Sequence, residues 1–374
     1  MKKIIFVAPQ FKNGGGNRVF VELANSISRI GNYELEIIYP NNSMEINHYE
    51  IEPRVQIKSI GDIAEKLISK LYNSFLLFRY IIKELKINQQ TTIIISDPIL
   101  SVFLWVIPRK YDKNITRFIQ ADDYRIYDDL FVLKNRLFLF IFKYLTRLNY
   151  KLKLKYIFNS NFTFDRFVSV SNRKDVAKLI VHPAVNKNVF YYLQPQNNLL
   201  NDKISICLIA RDHPLKKLDN FIDAWSDLSK DIKNKVSLVY LISTDKLEKF
   251  DLNEFILIRP KGDNEIAEVF RKTDIFISTS LWEGFSLPPL EALNCGVTIL
   301  SSDSGGIREY ACNDFNACLY SPGNVSELKE KLAELINNKN KRDKYNENAK
   351  ETIKEFSWDK SAKKLISIIE NNNI

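Results

Sequence analysis

Few cysteines, no long apolar run and no nucleic-acid signature: each absence removes a class of protein. The four cysteines, at 207, 295, 312 and 318, fit no metal-ligand spacing and no disulfide framework. Three of them lie in or beside apolar segments, which suits small buried thiols. No stretch reaches the roughly 18 uncharged residues that a membrane span requires. The opening MKKIIFVAPQ carries two lysines, but its apolar run is short and meets Gln10 and Lys12. It reads as a first strand, not a secretion signal, and the expected location is the cytoplasm. A net charge of +9 invites a nucleic-acid partner, yet no zinc-finger or RNP pattern accompanies it, so none is expected. The spacing G-x-G-x-x-G is missing after the first strand, which argues against a dinucleotide cofactor.

A length of 374 residues predicts two or three domains with sizeable cores. Short apolar runs alternate with amphipathic segments along the whole chain, the pattern of α/β domains with parallel sheets. KIIFVA (3–8), YELEIIYP (33–40), TTIIISDP (91–98), ITRFIQADD (115–123) and KYIF (155–158) read as strands of a first domain. Residues 62–87 read as a helix. ISICLIA, SLVYLIS, FILIRPKG, IFIS and VTIL follow as strands of a second. The polar run LQPQNNLLNDK, 193–203, is the composition shift between them.

The richest stretch is 274–309, DIFISTSLWEGFSLPPLEALNCGVTILSSDSGGIRE, which reads as strand, loop, short helix, strand, glycine loop and helix start. Pro288 and Pro289 suit the first positions of a helix. That places Glu291 in the first turn and Gly296 at the C-terminal stop. The amides of Gly284, Phe285, Ser286 and Leu287 lead into the helix N-terminus, where free N–H groups favour a phosphate or a sugar hydroxyl. Glu283 and Glu291 flank the turn, and carboxylates there can accept hydrogen bonds from sugar hydroxyls. Taken singly, Glu291 also reads as a complement to the helix dipole and Glu283 as a solvated loop residue.

As a string, EGFSLPPLEAL followed by CGVTILSSDSGGIRE resembles the E-x7-E signature of retaining glycosyltransferases of family 4. Ser286 stands where that signature usually has glycine, and Thr298 where it often has proline. The resemblance implies a GT-B fold, two Rossmann-like doubly wound domains facing across a cleft. The domains would run 1–185 (acceptor) and 186–356 (nucleotide sugar), with a helix at about 357–374 crossing back onto the first. Pro183-Ala184-Val185-Asn186 and Phe190 resemble the family's interdomain segment.

In the second domain Arg211 and Lys216 lie five apart on the loop after ISICLIA. Two cations at the C-terminal end of a strand suit a diphosphate, arginine by paired hydrogen bonds and lysine as a point charge; the alternative is a solvated basic loop. The family's pattern here is G-R-x4-K-G, with Ala210 and Lys217 in the glycine places of this chain. Gly262 follows FILIRPK, where the family's loop approaches the nucleotide base. In the first domain Gly14-Gly15-Gly16 follows strand one, where the resemblance places Gly15 and Gly16 over the donor phosphates; a plain turn is the alternative. Gln120 and Asp122, at the end of ITRFIQADD, are acceptor-side candidates. Asp123 reads as a solvated loop residue, and the Asp pair lacks the spacing of a metal-binding DxD.

The implied activity is retaining transfer of a sugar from a UDP, GDP or dTDP donor to a glycan or lipid-linked acceptor, without metal or other cofactor. Glu283, Arg211 and Lys216 would be catalytic; Glu291 would hold the ribose. The rivals are a GT-B epimerase or phosphorylase and a non-catalytic sugar-nucleotide-binding scaffold. Residues 134–155, KNRLFLFIFKYLTRLNYKLKLK, carry seven bases and no acid among aromatics and leucines. That composition fits an interfacial helix on an anionic membrane, peripheral on its inner face, or a core helix with a basic solvated side.

Overall fold

The computed structural model describes residues 2–11, 14–42, 49–63, 66–125, 136–193 and 203–371. Lys134 of the basic segment, residues 64–65 of the expected helix 62–87, most of the polar run 193–203 and residues 372–374 lie outside them. The chain divides into two compact units, Met1–Pro183 with Trp358–Ile374, and Ala184–Ser357.

The first unit holds strands β1 (Lys3–Val7), β2 (Glu34–Pro40), β3 (Val55–Ile60), β4 (Thr91–Ile95), β5 (Ile115–Ile119) and β6 (Lys155–Phe158). They form one parallel sheet in the order β3-β2-β1-β4-β5-β6. Its helices are α1 (Gly15–Ile30), α2 (Leu67–Ile87), α3 (Arg136–Asn149) and α4 (Asn161–Ser171). Strand β1 is wholly buried, as an interior parallel strand must be. Its one charged residue, Lys3, is held by Glu34 at 2.9 Å, Glu36 at 3.2 Å and Glu84 at 2.8 Å.

The second unit repeats the plan with β7 (Ile204–Ile209), β8 (Val236–Ile242), β9 (Ile256–Ile258), β10 (Ile275–Ser278), β11 (Thr298–Ser302) and β12 (Cys318–Tyr320). The order is β12-β11-β10-β7-β8-β9, again all parallel. Read by rank within its unit it is the first sheet's order run backwards, so both have a Rossmann strand order. Helices α5 (Leu218–Ser226), α6 (Lys230–Lys233), α7 (Asp263–Arg271), α8 (Leu287–Asn294), α9 (Val325–Asn337) and α10 (Lys339–Lys354) belong to this unit. Its core gathers Ile206, Leu208, Phe221, Leu241, Ile277 and Leu300.

Helix α11 (Trp358–Glu370) returns to the first unit and packs on α1. Glu370 takes Lys2 at 2.5 Å and the Tyr33 hydroxyl at 2.6 Å. Lys155 donates to the Ile368 and Asn371 carbonyls at 2.7 and 3.0 Å, a cation capping a helix C-terminus.

Two strands escape the sequence reading. Strand β3 is an edge strand whose central residues are exposed, so it lacks the apolar run expected of a buried one. Strand β12 spans three residues, too few to show a period.

Candidate functional site

In an open parallel sheet, ligands bind beyond the strand C-termini where the order reverses. In the second unit that point lies between β7 and β10. The loop after β7 is laid on the loop after β10: Leu281 N–H donates to the Leu215 carbonyl at 2.8 Å, and the Thr279 hydroxyl to the Lys216 carbonyl at 2.5 Å. This register brings the Lys216 ammonium onto the Glu283 carboxylate. The Ser280 hydroxyl donates to the same oxygen, Oε1, at 2.8 Å. Both partners are partly exposed, 36% for Lys216 and 21% for Glu283, so the pair can open to an incoming anion at modest cost.

Arg211 points along the strand ends instead. Its Nε donates to Asp245 Oδ2 at 2.7 Å, which also accepts the Asp212 amide at 3.0 Å. Arg259 donates to the Asp245 carbonyl at 2.9 Å. Asp245, just past β8, is a site residue that sequence reasoning missed, as are Ser280 beside Glu283 and Tyr310 beneath the Ser286 turn. The only signal for Asp245 is a carboxylate after a strand.

The backbone around Glu283 is fixed from the other side by the Ser304-Gly305-Gly306 loop. Glu283 N–H donates to the Ser304 carbonyl at 2.8 Å, and Gly306 N–H to the Glu283 carbonyl at 3.0 Å. Gly305 has φ +89°, a left-handed conformation suited to glycine. Gly306 lies so close to the facing chain that a β-carbon would stand 2.2 Å from the Gly284 oxygen. Beyond it the chain makes one 3-10 turn, Gly306–Glu309, rather than a full helix.

Glu291 requires a correction. Helix α8 begins at Leu287, with its prolines in the first turn and no acid there. Glu291 falls in the second turn and is 5% exposed, so it is not a first-turn complement to the dipole. The helix does stop at Gly296, with φ +84°. Gly296 N–H donates to the Leu293 carbonyl at 3.0 Å and Val297 N–H to that of Ala292 at 3.1 Å, a Schellman motif. The Tyr310 hydroxyl donates to the Ser286 carbonyl. Burial pushes Tyr310 well above the usual phenol range, with Glu283 and Glu291 adding to the shift, so it stays a donor and pins the turn.

Ser286 has φ +71° and Lys217 φ +48°. These are two of the positions where the family pattern carries glycine. A side chain there costs about 1–2 kcal/mol in conformational strain, part of which a glycine recovers before its own entropy cost. Lys217→Gly should therefore stabilise the chain by about 0.5 kcal/mol, whereas Lys217→Val, β-branched, should lose about 1–2 kcal/mol. Equal denaturant midpoints for the two variants would refute this.

In the first unit Gly15 and Gly16 open α1 as its first turn, behind the N-cap Gly14. A β-carbon at Gly14 or Gly15 meets nothing within 4 Å, so packing within the unit does not require glycine there. Gln120 joins them, its amide donating to the Gly16 carbonyl at 3.4 Å. Asp122 does not offer a free carboxylate: it is 2% exposed and accepts Arg166 Nε at 2.6 Å. Its other oxygen accepts the Tyr124 and Arg125 amides. Asp123 is also buried, paired with Arg117 at 2.6 Å, which corrects its reading as a solvated residue. A buried arginine on β5 needs a carboxylate, and Asp123 supplies it. Gly262 caps α7, whose first turn holds Asp263 and Glu265. Among the described residues no group of three or more His, Cys, Asp or Glu could hold a metal.

Residues 193–352 match the family model described as glycosyl transferases group 1. An uncharacterised glycosyltransferase of Methanocaldococcus jannaschii is 28% identical over 99% of this chain and 98% of its own length. Sucrose-phosphate synthase from Thermosynechococcus elongatus aligns over 99% of this chain and 98% of its own, with TM-score 0.79 at 13% identity. Anabaena HepE, in complex with UDP-glucose, aligns over 99% of this chain and 100% of its own, with TM-score 0.73 at 14% identity. The chain thus has the fold of GT-B glycosyltransferases, and its second unit matches group 1, which together support a glycosyltransferase.

Proposed function

We propose that this protein transfers a sugar, with retention of configuration, from a nucleotide-sugar donor to a glycan acceptor, without a metal ion. The observation that carries the reading is the meeting of Lys216 and Glu283 at the reversal point of the second sheet. Glycosyl transfer builds positive charge on the sugar ring and negative charge on the departing diphosphate. Lys216 and Arg211 answer the second charge, as a metal ion does elsewhere. The loop amides of Gly284, Phe285, Ser286 and Leu287 add donors, while Pro288 and Pro289 have no N–H to give.

Glu283 takes the donor sugar's hydroxyls, and Lys216 moves from it to the phosphate as the donor enters. Glu291 holds the ribose, and Gly262 lies by the base. On the acceptor side Asp122, spent on Arg166, is dropped, which leaves Gln120. HepE binds UDP-glucose, which places a UDP sugar first among the donors to test. The acceptor is a lipid-linked or cell-surface glycan, presented at an anionic membrane.

A thermal-shift panel of UDP, GDP, dTDP and their common sugars, with and without magnesium, tests the reading. A ligand at 100 times its Kd stabilises by about 2.7 kcal/mol, seen as a rise in Tm. The expected result is one nucleotide class that shifts the midpoint equally with magnesium and with chelator. Folded protein that responds to none would leave a non-catalytic scaffold instead.

A further inference from the structure

We propose that an acid-free apolar face of the first unit docks on an anionic lipid surface. The face is built from α2, the 3-10 helix Leu100–Val106 and α3, which reaches well beyond the basic segment singled out in the sequence. Its purpose rests on the lipid-linked acceptor; its geometry does not.

On α2, Ile68, Leu71, Tyr72 and Phe75 recur at the spacing of one helical stripe, and all are exposed, Ile68 to 82%. The opposite side of the helix buries Leu77, Phe78, Ile81 and Leu85. On the 3-10 helix Trp105 and Val106 face outward while Leu100 and Leu104 are buried. On α3 the exposed large apolar residues, among the side chains described, are Phe140, Ile141 and Tyr144, with Phe140 at 69%. The rings of Phe140 and Tyr144 stack with centroids 6.5 Å apart.

Side-chain contacts join the three elements. Phe103 of the 3-10 helix stacks on Phe78 of α2 at 5.4 Å. Trp105 donates its indole N–H to Asn149, the last residue of α3, at 2.7 Å. The outward residues therefore lie on adjoining elements.

Charge identifies the occupant. Residues 66–83, 99–111 and 136–155 contain no acid. Cations lie over the aromatics instead: Arg79 over Phe75 at 6.0 Å, and Arg109 over Trp105 at 4.7 Å, with Asp112 at the edge of the face 3.6 Å from the Arg109 guanidinium. Lys143 and Arg147 lie over Tyr124 at 4.7 and 4.9 Å. Lys151 and Lys153 are exposed beyond the end of α3, whereas Lys155 is turned onto the end of α11. Long cationic side chains beside aliphatic and aromatic tips match a headgroup layer over acyl chains. A second copy of this face would bring like charges together. A nucleic acid would leave Ile68, Leu71, Val106 and Ile141 without a partner.

Sedimentation with phosphatidylglycerol–phosphatidylcholine vesicles, against phosphatidylcholine alone, tests the proposal in the full chain. Anionic vesicles should bind at least roughly tenfold more protein, and 0.5 M salt should weaken that binding strongly. Ile68→Ser with Tyr72→Ser, and separately Phe140→Ser with Tyr144→Ser, should each cut binding roughly tenfold at unchanged Tm. Equal binding to neutral vesicles overturns the proposal. So does an α2 pair without effect, a dimer dispersed by the same changes without lipid binding, or equally face-dependent binding of a short RNA. The nucleotide thermal shift is read in parallel on every variant. Vesicle binding lost with the shift intact concerns this face alone, and a shift absent with vesicle binding intact concerns the transferase reading alone.

Discussion

Replacing Gly306 by alanine is expected to abolish donor binding and to lower Tm by several degrees. An ideal β-carbon there would stand 2.2 Å from the Gly284 oxygen, 2.3 Å from its carbonyl carbon and 2.5 Å from the Phe285 nitrogen. All three are backbone atoms, so no side chain can swing aside. The loops can separate only by stretching the Glu283–Ser304 and Gly306–Glu283 hydrogen bonds, which carries the Glu283 carboxylate away from Lys216. Overpacking of this kind costs about 1–3 kcal/mol, or roughly 2–4 °C per kcal/mol for a domain of this size. A displacement of about 1 Å at a reacting group costs about 10²-fold in rate. A kcat/KM for Gly306→Ala within threefold of the unaltered chain would show that the loop contact is dispensable.

The second large effect belongs to Lys216. Lys216→Met keeps the aliphatic stem and removes the charge, so kcat/KM for the donor should fall about 10²–10³-fold. Stability should hardly move, because the Lys216–Glu283 pair is partly exposed and such pairs contribute little. The sharper readout is discrimination. The unaltered chain should bind a nucleoside diphosphate more tightly than the monophosphate, and Lys216→Met should lose most of that preference. Arg211→Ala should cost about 10²-fold in kcat/KM and also free Asp245, which now holds it. If Lys216→Met kept the diphosphate preference while losing activity, the lysine would act through Glu283 rather than on the phosphate.

Much of this site is legible in the sequence because its groups sit at strand ends. A buried strand announces itself by its apolar run, and the residues just past it must lie at the sheet's edge. That logic puts Arg211, Lys216 and Glu283 past strand ends of the second unit and Gln120 past a strand end of the first, where the structure has them. It does not find Asp245, whose partnership with Arg211 exists only because β8 lies beside β7. It misplaces Glu291 because the left-handed Ser286 lets the helix begin at Leu287, ahead of both prolines. It exposes Asp123 wrongly because a polar string ordinarily faces water. The demand that buries it comes from Arg117, on β5 and 2% exposed.

The return of α11 to α1 has a consequence for biosynthesis. The first unit is discontinuous, its final helix encoded after the whole of Ala184–Ser357. A ribosome therefore delivers the second unit's complete set of strands before the first can cover the α1 surface that α11 occupies. The later-encoded half is free to mature first. Until Trp358–Glu370 emerges, the apolar face of the nascent α1 is a natural place for a chaperone to wait.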